Sequence, residues 1–256
     1  MSMKRFRTKP NGNILTTKTV IEILKALTKE KRSPLDTAIK LNDFELVKYF
    51  IEINPENVNA IITEAGSTPL HRSVYCGNED IVNFLLENGA NVNDGNNYGF
   101  TPLHVADNEN EIHIIKMLIQ NGADINAKAN NNMTVLHYAV QEGKLEFVKL
   151  LLDNGTKING KNNSGFTPLH YATDTKIARN LIQNGANIES KDKHGWTSLH
   201  HTSILNNIEK AKLLLDNLAN IEALDNNHRT PLFVACHEGS FKVAKLLIQN
   251  GSNIDA

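Results

Sequence analysis

Histidine is the side chain in this sequence with the widest chemical potential, because a neutral imidazole can bind a metal or transfer protons near neutral pH. The chain has ten histidines and two cysteines. Five of the histidines show no Cys/His spacing typical of a zinc site, namely His113, His194, His201, His228 and His237. The triplet Cys236-His237-Glu238 combines a thiol, a base and a carboxylate, but neighbouring residues of a helix point to different faces. We therefore expect no catalytic, metal or cofactor site.

The other five histidines each end a recurring tetrapeptide. It reads Thr101-Pro102-Leu103-His104 in one copy, and the remaining copies end at His71, His137, His170 and His200. Thr230-Pro231-Leu232-Phe233 replaces the histidine, and Ser33-Pro34-Leu35-Asp36 is a divergent version. Thr101 follows Thr68 by 33 residues, and Thr134 follows Thr101 by the same interval. Such a period predicts one supersecondary unit per repeat.

The tetrapeptide has the properties of a helix start. Threonine can act as the N-cap, since its hydroxyl can accept a hydrogen bond from a first-turn N–H. Proline suits the first helical position, where its missing N–H has no cost. Leucine begins an apolar face, and the histidine can hydrogen-bond the threonine or the backbone. The five histidines are thus predicted to be structural.

Tetrapeptide and period together resemble the ankyrin repeat. The resemblance runs from about Ser33 to Ala256. It implies an all-α solenoid with short β-hairpin loops, each unit being a hairpin, a helix that begins at the tetrapeptide, a tight turn and a second helix. We expect about seven units, including a divergent N-terminal one. They fall within a repeat domain at 29–256, at about 29–62, 63–95, 96–128, 129–161, 162–191, 192–224 and 225–256.

Glycine and asparagine recur where the helices should end, because they adopt the left-handed backbone conformation most readily. The first helices are expected to end near Asn42, Gly77, Asn110, Gly143, Asn206 and Gly239. Leu218 interrupts the corresponding glycine series after the second helices, so local strain or rearrangement is expected there. Thr197 follows Thr167 by only 30 residues, which predicts a shortened first helix or a shortened turn in the fifth repeat.

Residues 1–15 are basic and are predicted to form a disordered arm. Residues 16–28 begin with a capping box at Thr19 and continue with apolar residues at helical spacing, which predicts an N-terminal capping helix. The basic start lacks a following apolar region, so it does not read as a secretory signal. We expect an intracellular, cytoplasmic protein, although secretion as an effector stays open.

The net charge of −1 gives no electrostatic case for nucleic acid, and no apolar run approaches the length needed to span a bilayer. Cys76 and Cys236 lie five repeats apart, which at roughly 10 Å per layer is about 50 Å. That distance is far beyond the reach of a disulfide, so two free thiols are expected.

The resemblance also implies a function in protein binding. In the family, the hairpin tips and the exposed ends of the first helices line a concave face that contacts partner proteins. Transferred to this sequence, the tips offer Tyr98, Phe100, Met133, Phe166, His194, Trp196 and Arg229, and the helix ends offer Tyr75, Asn108, Glu142, Leu205 and His237. Phe100, Phe166 and Trp196 share the position before threonine, and aromatic residues are frequent anchors of interfaces.

We therefore expect a non-enzymatic scaffold that binds an unidentified protein partner. End-to-end self-association through an uncapped C-terminal repeat is a further expectation. Asn126 lies in a segment that resembles one hydroxylated in the family. Two alternatives stay open: the repeats could be the recognition module of a larger enzyme, channel or ubiquitin-ligase adaptor, or a host-directed effector of an intracellular microbe or virus.

Overall fold

The computed structural model describes residues 33–106 and 112–255. Within these ranges the chain forms thirteen α-helices and one short 3-10 helix at Pro55–Asn59. The helices are α1 Pro34–Lys40, α2 Phe44–Ile53, α3 Pro69–Tyr75, α4 Glu79–Glu87, α5 Ile112–Gln120, α6 Val135–Gln141, α7 Leu145–Asp153, α8 Pro168–Tyr171, α9 Thr175–Gln183, α10 Ser198–Leu205, α11 Ile208–Asp216, α12 Pro231–His237 and α13 Phe241–Gln249. The predicted arm, the predicted capping helix and the candidates Asn108 and Asn110 lie outside the described residues.

The helices form antiparallel pairs, one pair per repeat. The pairs are α1 with α2, α3 with α4, α6 with α7, α8 with α9, α10 with α11, and α12 with α13. In the third repeat, α5 is the second helix, and the described part of the first-helix segment, 101–106, forms a turn. The divergent first repeat folds as a helix pair like the others. Helices pack mainly on the neighbouring repeats, so the chain is a helical repeat stack, as predicted.

The predicted helix starts are confirmed at four of the five copies that end in histidine, whereas the copy at Thr101–His104 forms a turn within the described residues. In α3, α6, α8 and α10 the threonine stands at the N-cap position and the histidine lies three residues later. The histidine Nδ1 atom accepts a hydrogen bond from the threonine backbone N–H, at 3.3 Å in the His71 copy and 3.1 Å in the His137 copy. Each motif thereby satisfies a backbone donor that a helix terminus would otherwise leave without a partner.

The predicted helix ends are also confirmed among the described residues. Asn42, Gly77, Gly143, Asn206 and Gly239 all have positive φ angles, between 49° and 73°. Leu218 has a φ of 63° and replaces the glycine that ends the second helix elsewhere. Its backbone is strained but not rearranged, because Ala219 N–H still bonds the Leu214 carbonyl at 3.0 Å.

The predicted hairpin loops consist of turns and do not extend into β-strands. The described ranges contain no β-strand, and one isolated antiparallel bridge joins Lys128 and Thr134. Each tip is a tight turn; in the third repeat Asn96 N–H bonds the Phe100 carbonyl at 2.9 Å and Gly99 N–H bonds the Asn96 carbonyl at 2.8 Å. Adjacent tips are joined by backbone hydrogen bonds, such as Asn130 N–H to the Tyr98 carbonyl at 3.0 Å. The tips therefore form one continuous edge of the stack.

The core runs through all repeats without interruption. Each second helix places apolar residues at the same two or three positions, and each first helix adds the leucine of the tetrapeptide, as Leu70, Leu136 and Leu169 show with at most 1% exposure. The shortened first helix of the fifth repeat is confirmed: α8 has four residues, whereas α3 and α6 have seven. No described helix is long and apolar enough to cross a membrane.

Candidate functional site

The candidate site is the tip-side surface, by which we mean the loop tips and the exposed ends of the first helices. Tight turns position the tips, and the tip-to-tip hydrogen bonds fix their spacing. The side chains at these places are not dictated by the core, so they are free to differ between repeats. This surface contains most of the residues that the sequence singled out.

Several predicted contact residues are exposed on the tip-side surface. The exposed fractions are 54% for Tyr75, 60% for Tyr98 and 56% for Leu205. Glu142, His194 and His237 are exposed as well. Ile204, next to Leu205 at the same helix end, is 40% exposed and adds a further apolar side chain. These residues could contact a partner without any rearrangement of the stack.

Phe100, Phe166 and Trp196 are only partly exposed, because each ring stacks on the tetrapeptide histidine of its own repeat. The ring centroids lie 5.7 Å apart for Phe100 and His104, 5.6 Å for Phe166 and His170, and 6.2 Å for Trp196 and His200. Edge-to-face contacts extend these stacks, with Tyr138 against Phe100 at 5.0 Å and His201 against Phe166 at 5.0 Å. Each of these three rings therefore packs against the fold on one side and is accessible on the other.

Trp196 is held by an ionic network in the seventh repeat. Its indole N–H donates to Asp225 Oδ2 at 2.8 Å, and the same oxygen accepts from the Arg229 side chain at 2.7 Å. The Arg229 guanidinium lies 5.8 Å from the indole centroid. Burial would raise the pKa of Asp225, but hydrogen bonds from Arg229, Trp196 and Asn227 outweigh burial and hold that pKa well below its usual range. Arg229 therefore already has an internal partner.

Met133 does not belong to the exposed set that the sequence predicted. It occupies the position of Phe100 and Phe166 but is only 5% exposed. A flexible, unbranched thioether can fold inward to fill the gap between two tips, whereas a rigid ring in the same position cannot. Met133 is thus buried rather than exposed, and a partner contact there stays a prediction.

Four of the five tetrapeptide histidines link successive repeats, whereas Nε2 of His104 has no hydrogen-bond partner among the described residues. Nε2 of His71 lies 2.8 Å from the Phe100 carbonyl oxygen, and the equivalent distances are 3.0 Å from His137 to Phe166 and 3.2 Å from His200 to Arg229. Because Nδ1 accepts the threonine N–H, the hydrogen must be on Nε2, which donates to the carbonyl. Burial lowers the pKa of all five histidines, to about 4 for His104 and His170. The neutral tautomer is thus the folded form.

The remaining histidines and the cysteines assemble no metal site. His201 pairs with Asp192 at 3.0 Å, and His237 pairs with Glu238 at 3.0 Å. Neither Cys76 nor Cys236 forms a disulfide. Across the described ranges, no group of three or more His, Cys, Asp or Glu side chains is arranged to hold a metal ion.

Asn126 belongs to a series that bridges the loops at the opposite edge of the stack. Its Oδ1 accepts from the Lys157 N–H at 2.7 Å and from the Thr156 hydroxyl at 3.3 Å. Asn59, Asn93 and Asn159 make the same kind of bond to the next repeat, at 2.8 Å each. The side chain is therefore partly buried and engaged in the fold.

The sequence analysis missed Lys210. This lysine is 1% exposed at a position where Ile81, Phe147 and Ile177 are buried in other repeats. Aligning the repeats to one another would have revealed a charged residue in a column of apolar ones.

Comparison with known proteins agrees with this architecture. A family model described as ankyrin repeats matches residues 11–96, 35–129, 108–192 and 173–256, which together run from 11 to 256. Myotrophin from Xenopus tropicalis is 39% identical over 54 residues, which is 21% of this chain and 44% of myotrophin. The chain thus spans less than half the length of that curated relative. Because the family model matches nearly the whole chain, this protein belongs to the ankyrin-repeat family.

Proposed function

We propose that the chain is a non-enzymatic scaffold that binds a partner protein on its tip-side surface. Ankyrin repeats generally mediate protein–protein interaction, and the described helices form a rigid support for such a surface. The observation that carries the proposal is the exposure of Tyr75, Tyr98, Ile204 and Leu205 at the positions that the repeat leaves free. Large apolar and aromatic side chains that stay exposed on a rigid scaffold are favourable anchors for an interface.

The structure changes which residues should be tested. Trp196 and Phe166 contribute to internal stacks, so their replacement by alanine would disturb the fold together with any interface. Tyr75, Tyr98 and Leu205 are more than half exposed, so serine at these positions should leave the folded state intact. A loss of binding in that triple variant can then be attributed to the surface itself.

Affinity capture with the immobilised protein, followed by mass spectrometry, tests the proposal. The matched control changes Ile53, Leu218 and Ile248 to serine, because these apolar residues are 62%, 92% and 50% exposed on, or directly after, second helices. We expect a protein that binds to the parent and to the control but not to the tip-side variant. Equal capture by all three proteins, or loss in both variants, would contradict the proposal.

We also propose end-to-end self-association through the last repeat. Phe241 and Ile254 support it, because they are 82% and 71% exposed, whereas Leu145 and Ile158 at the equivalent positions of an inner repeat are partly covered. The proposed occupant is the same face of a second copy, as in an isologous dimer. Sedimentation over a dilution series should show a dimer that dissociates, and Phe241→Ser should shift it to the monomer. A monomer at every concentration would refute this contact.

Two finer assignments are proposals with their own tests. We propose a cytoplasmic location, which cell fractionation would establish or exclude.

Hydroxylation of Asn126 would have to occur on a partly buried side chain that bonds Lys157, so it requires local opening of the loop. Peptide mass spectrometry of the protein from its cell should show one added oxygen on the Asn126 peptide, and an unmodified peptide would exclude the assignment.

A further inference from the structure

Lys210 is the only lysine or arginine below 2% exposure among the described residues, and it replaces an apolar core residue. It lies in α11 at the position that Ile81, Phe147, Ile177 and Val243 occupy in other repeats, all of which are at most 5% exposed. A charged group at such a place is costly unless its surroundings provide hydrogen-bond partners. The partners must therefore explain why the sequence has a lysine there.

The partners are the backbone carbonyls at the end of the shortened helix α8. Lys210 Nζ donates to the Leu169 carbonyl at 2.8 Å and to the His170 carbonyl at 3.4 Å. A first helix of seven residues, such as α6, would supply these carbonyls with N–H groups from its next turn. Because α8 ends at Tyr171, the lysine of the following repeat provides the donors instead. The shortened helix and the buried lysine are thus two parts of one arrangement.

The buried His170 and the partly buried His201 complete a basic cluster at this interface. The rings of His170 and His201 have centroids 5.3 Å apart, and the charge of Lys210 acts on both. Asp192 faces the cluster through His201, with an Nε2 to Oδ2 distance of 3.0 Å and 1% exposure of its side chain. At the interface between α6 and α8, the equivalent positions have His137 with Tyr171 and Ile177, so a single basic group is present. The cluster is therefore specific to the junction of repeats five and six.

Other charged residues near the cluster cannot compensate it strongly. His200 on α10 uses its Nε2 for the Arg229 carbonyl at 3.2 Å. The remaining charged side chains of α9, α11 and α13, and the cap of α9, are all exposed to solvent: Asp174, Lys176, Arg179, Glu209, Lys212, Asp216, Lys242 and Lys245. Exposed charges are screened by water and salt, so they offset a buried positive charge only weakly.

We propose that the interface between the fifth and sixth repeats is an acid-sensitive joint, which opens when the cluster of His170, His201 and Lys210 takes up protons. The shortened α8 supports this because it gives the junction less helix-to-helix packing than α10 has with α12. When the joint opens, the ordered stack separates into a longer N-terminal part and a shorter C-terminal part. The nearest-neighbour packing of a repeat stack allows one interface to open on its own.

The proton linkage has the same sign for all three groups. Burial lowers the pKa of His170 to about 4, lowers that of His201 despite its contact with Asp192, and lowers that of Lys210 to about 7. The ordinary values are 6.5 for histidine and 10.5 for lysine, so the folded junction binds fewer protons than the unfolded chain. Its stability is therefore lost as the pH falls, through the lysine between 10.5 and 7 and through the histidines below 6.5.

Trp196 provides a direct readout, because it is the single tryptophan of the chain and its ring lies 5.4 Å from that of His201. We would acidify the full protein from pH 8 to pH 4 and record the tryptophan emission maximum together with the helical circular dichroism. The expected result is a red shift of Trp196 at a higher pH than the loss of helix. Coincident transitions would overturn the proposal, because they would mean that the stack unfolds as a whole.

Two substitutions identify the cluster as the sensor. Lys210→Met removes the buried charge, and His201→Tyr installs the residue that this chain has at Tyr138 and Tyr171. The readout is the fall of the Trp196-monitored urea midpoint between pH 8 and pH 5, since this difference is independent of a uniform loss of stability. Each variant should reduce that fall, and the two together should reduce it more than either alone, whereas Lys212→Met and His237→Tyr at exposed positions should leave it unchanged. A full pH dependence in both cluster variants would refute the assignment.

Discussion

Leu218 shows how a single backbone angle can limit stability. Its φ of 63° is a conformation that L-residues other than asparagine and aspartate rarely adopt, and its side chain is 92% exposed, so packing does not offset the strain. We expect Leu218→Gly to raise the free energy of unfolding by about 1 kcal/mol, measured by urea denaturation. Gly185→Ala is the matched opposite change at the same place in the fifth repeat, and it should lower stability. An unchanged or lower stability of Leu218→Gly would show that the leucine makes contacts in solution.

The tetrapeptide histidine is a second residue whose effect can be isolated. His137 accepts the Thr134 N–H at 3.1 Å and approaches the Phe166 carbonyl at 3.0 Å, so His137→Phe leaves both backbone groups without these partners. Two unsatisfied buried groups predict a loss of about 2 to 4 kcal/mol in urea denaturation. The reverse change, Phe233→His, should cost under about 1 kcal/mol, because Phe233 is 46% exposed and little packing is lost. Similar losses in both variants would contradict this role.

At the scale of elements, local signals were sufficient to predict where most helices begin and end. The threonine tetrapeptide marks the start of α3, α6, α8 and α10, and glycine or asparagine with positive φ marks the ends of the first helices. These features depend on one residue and its own backbone, so the sequence displays them directly. The shortening at α8 could also be predicted from the sequence, because three residues are missing from the repeat interval there.

The contacts between repeats were less accessible from sequence. Met133 is buried and Lys210 is fully enclosed because of what the adjacent repeats place against them, and neither environment follows from the residue type. Trp196 was predicted as a partner contact, but its bond to Asp225, 29 residues later, could not be inferred from spacing. The environments that two adjacent repeats form together are therefore the part of the structure that the sequence did not predict.

Two glycines with positive φ, one at a loop tip and one at a helix end, allow the cost of backbone strain to be separated from the cost of a steric clash. Gly195 and Gly185 both have positive φ, but a Cβ atom on Gly195 would lie 2.7 Å from the Asn226 backbone nitrogen, whereas one on Gly185 would meet nothing within 4 Å. Alanine at Gly185 should therefore cost about 1 kcal/mol, and alanine at Gly195 clearly more, because the tip of the seventh repeat must move. Chemical denaturation of the two variants measures the difference. Equal losses would mean that the tips adapt freely.

At the scale of the whole molecule, each repeat is attached to its neighbours on both edges. Backbone hydrogen bonds join the tips, and bridging side chains such as Asn59 and Asn93 join the opposite loops at 2.8 Å. The helix contacts between them are likewise mostly between adjacent repeats. A stack held by such local interactions should respond to damage locally, with the effect declining along the chain.

Leu136→Ala tests this behaviour in an inner repeat. The leucine is fully buried in α6, so its truncation should cost about 2 to 5 kcal/mol at the site. We expect hydrogen exchange, followed by mass spectrometry, to show the largest loss of protection in α6 and α7, a smaller loss in α5 and α8, and little change in α12 and α13. This gradient follows because α12 and α13 pack on repeats that do not contact Leu136 directly. A uniform loss over every helix would instead show that the whole stack unfolds as a single cooperative unit, and one interface could then not open ahead of the rest.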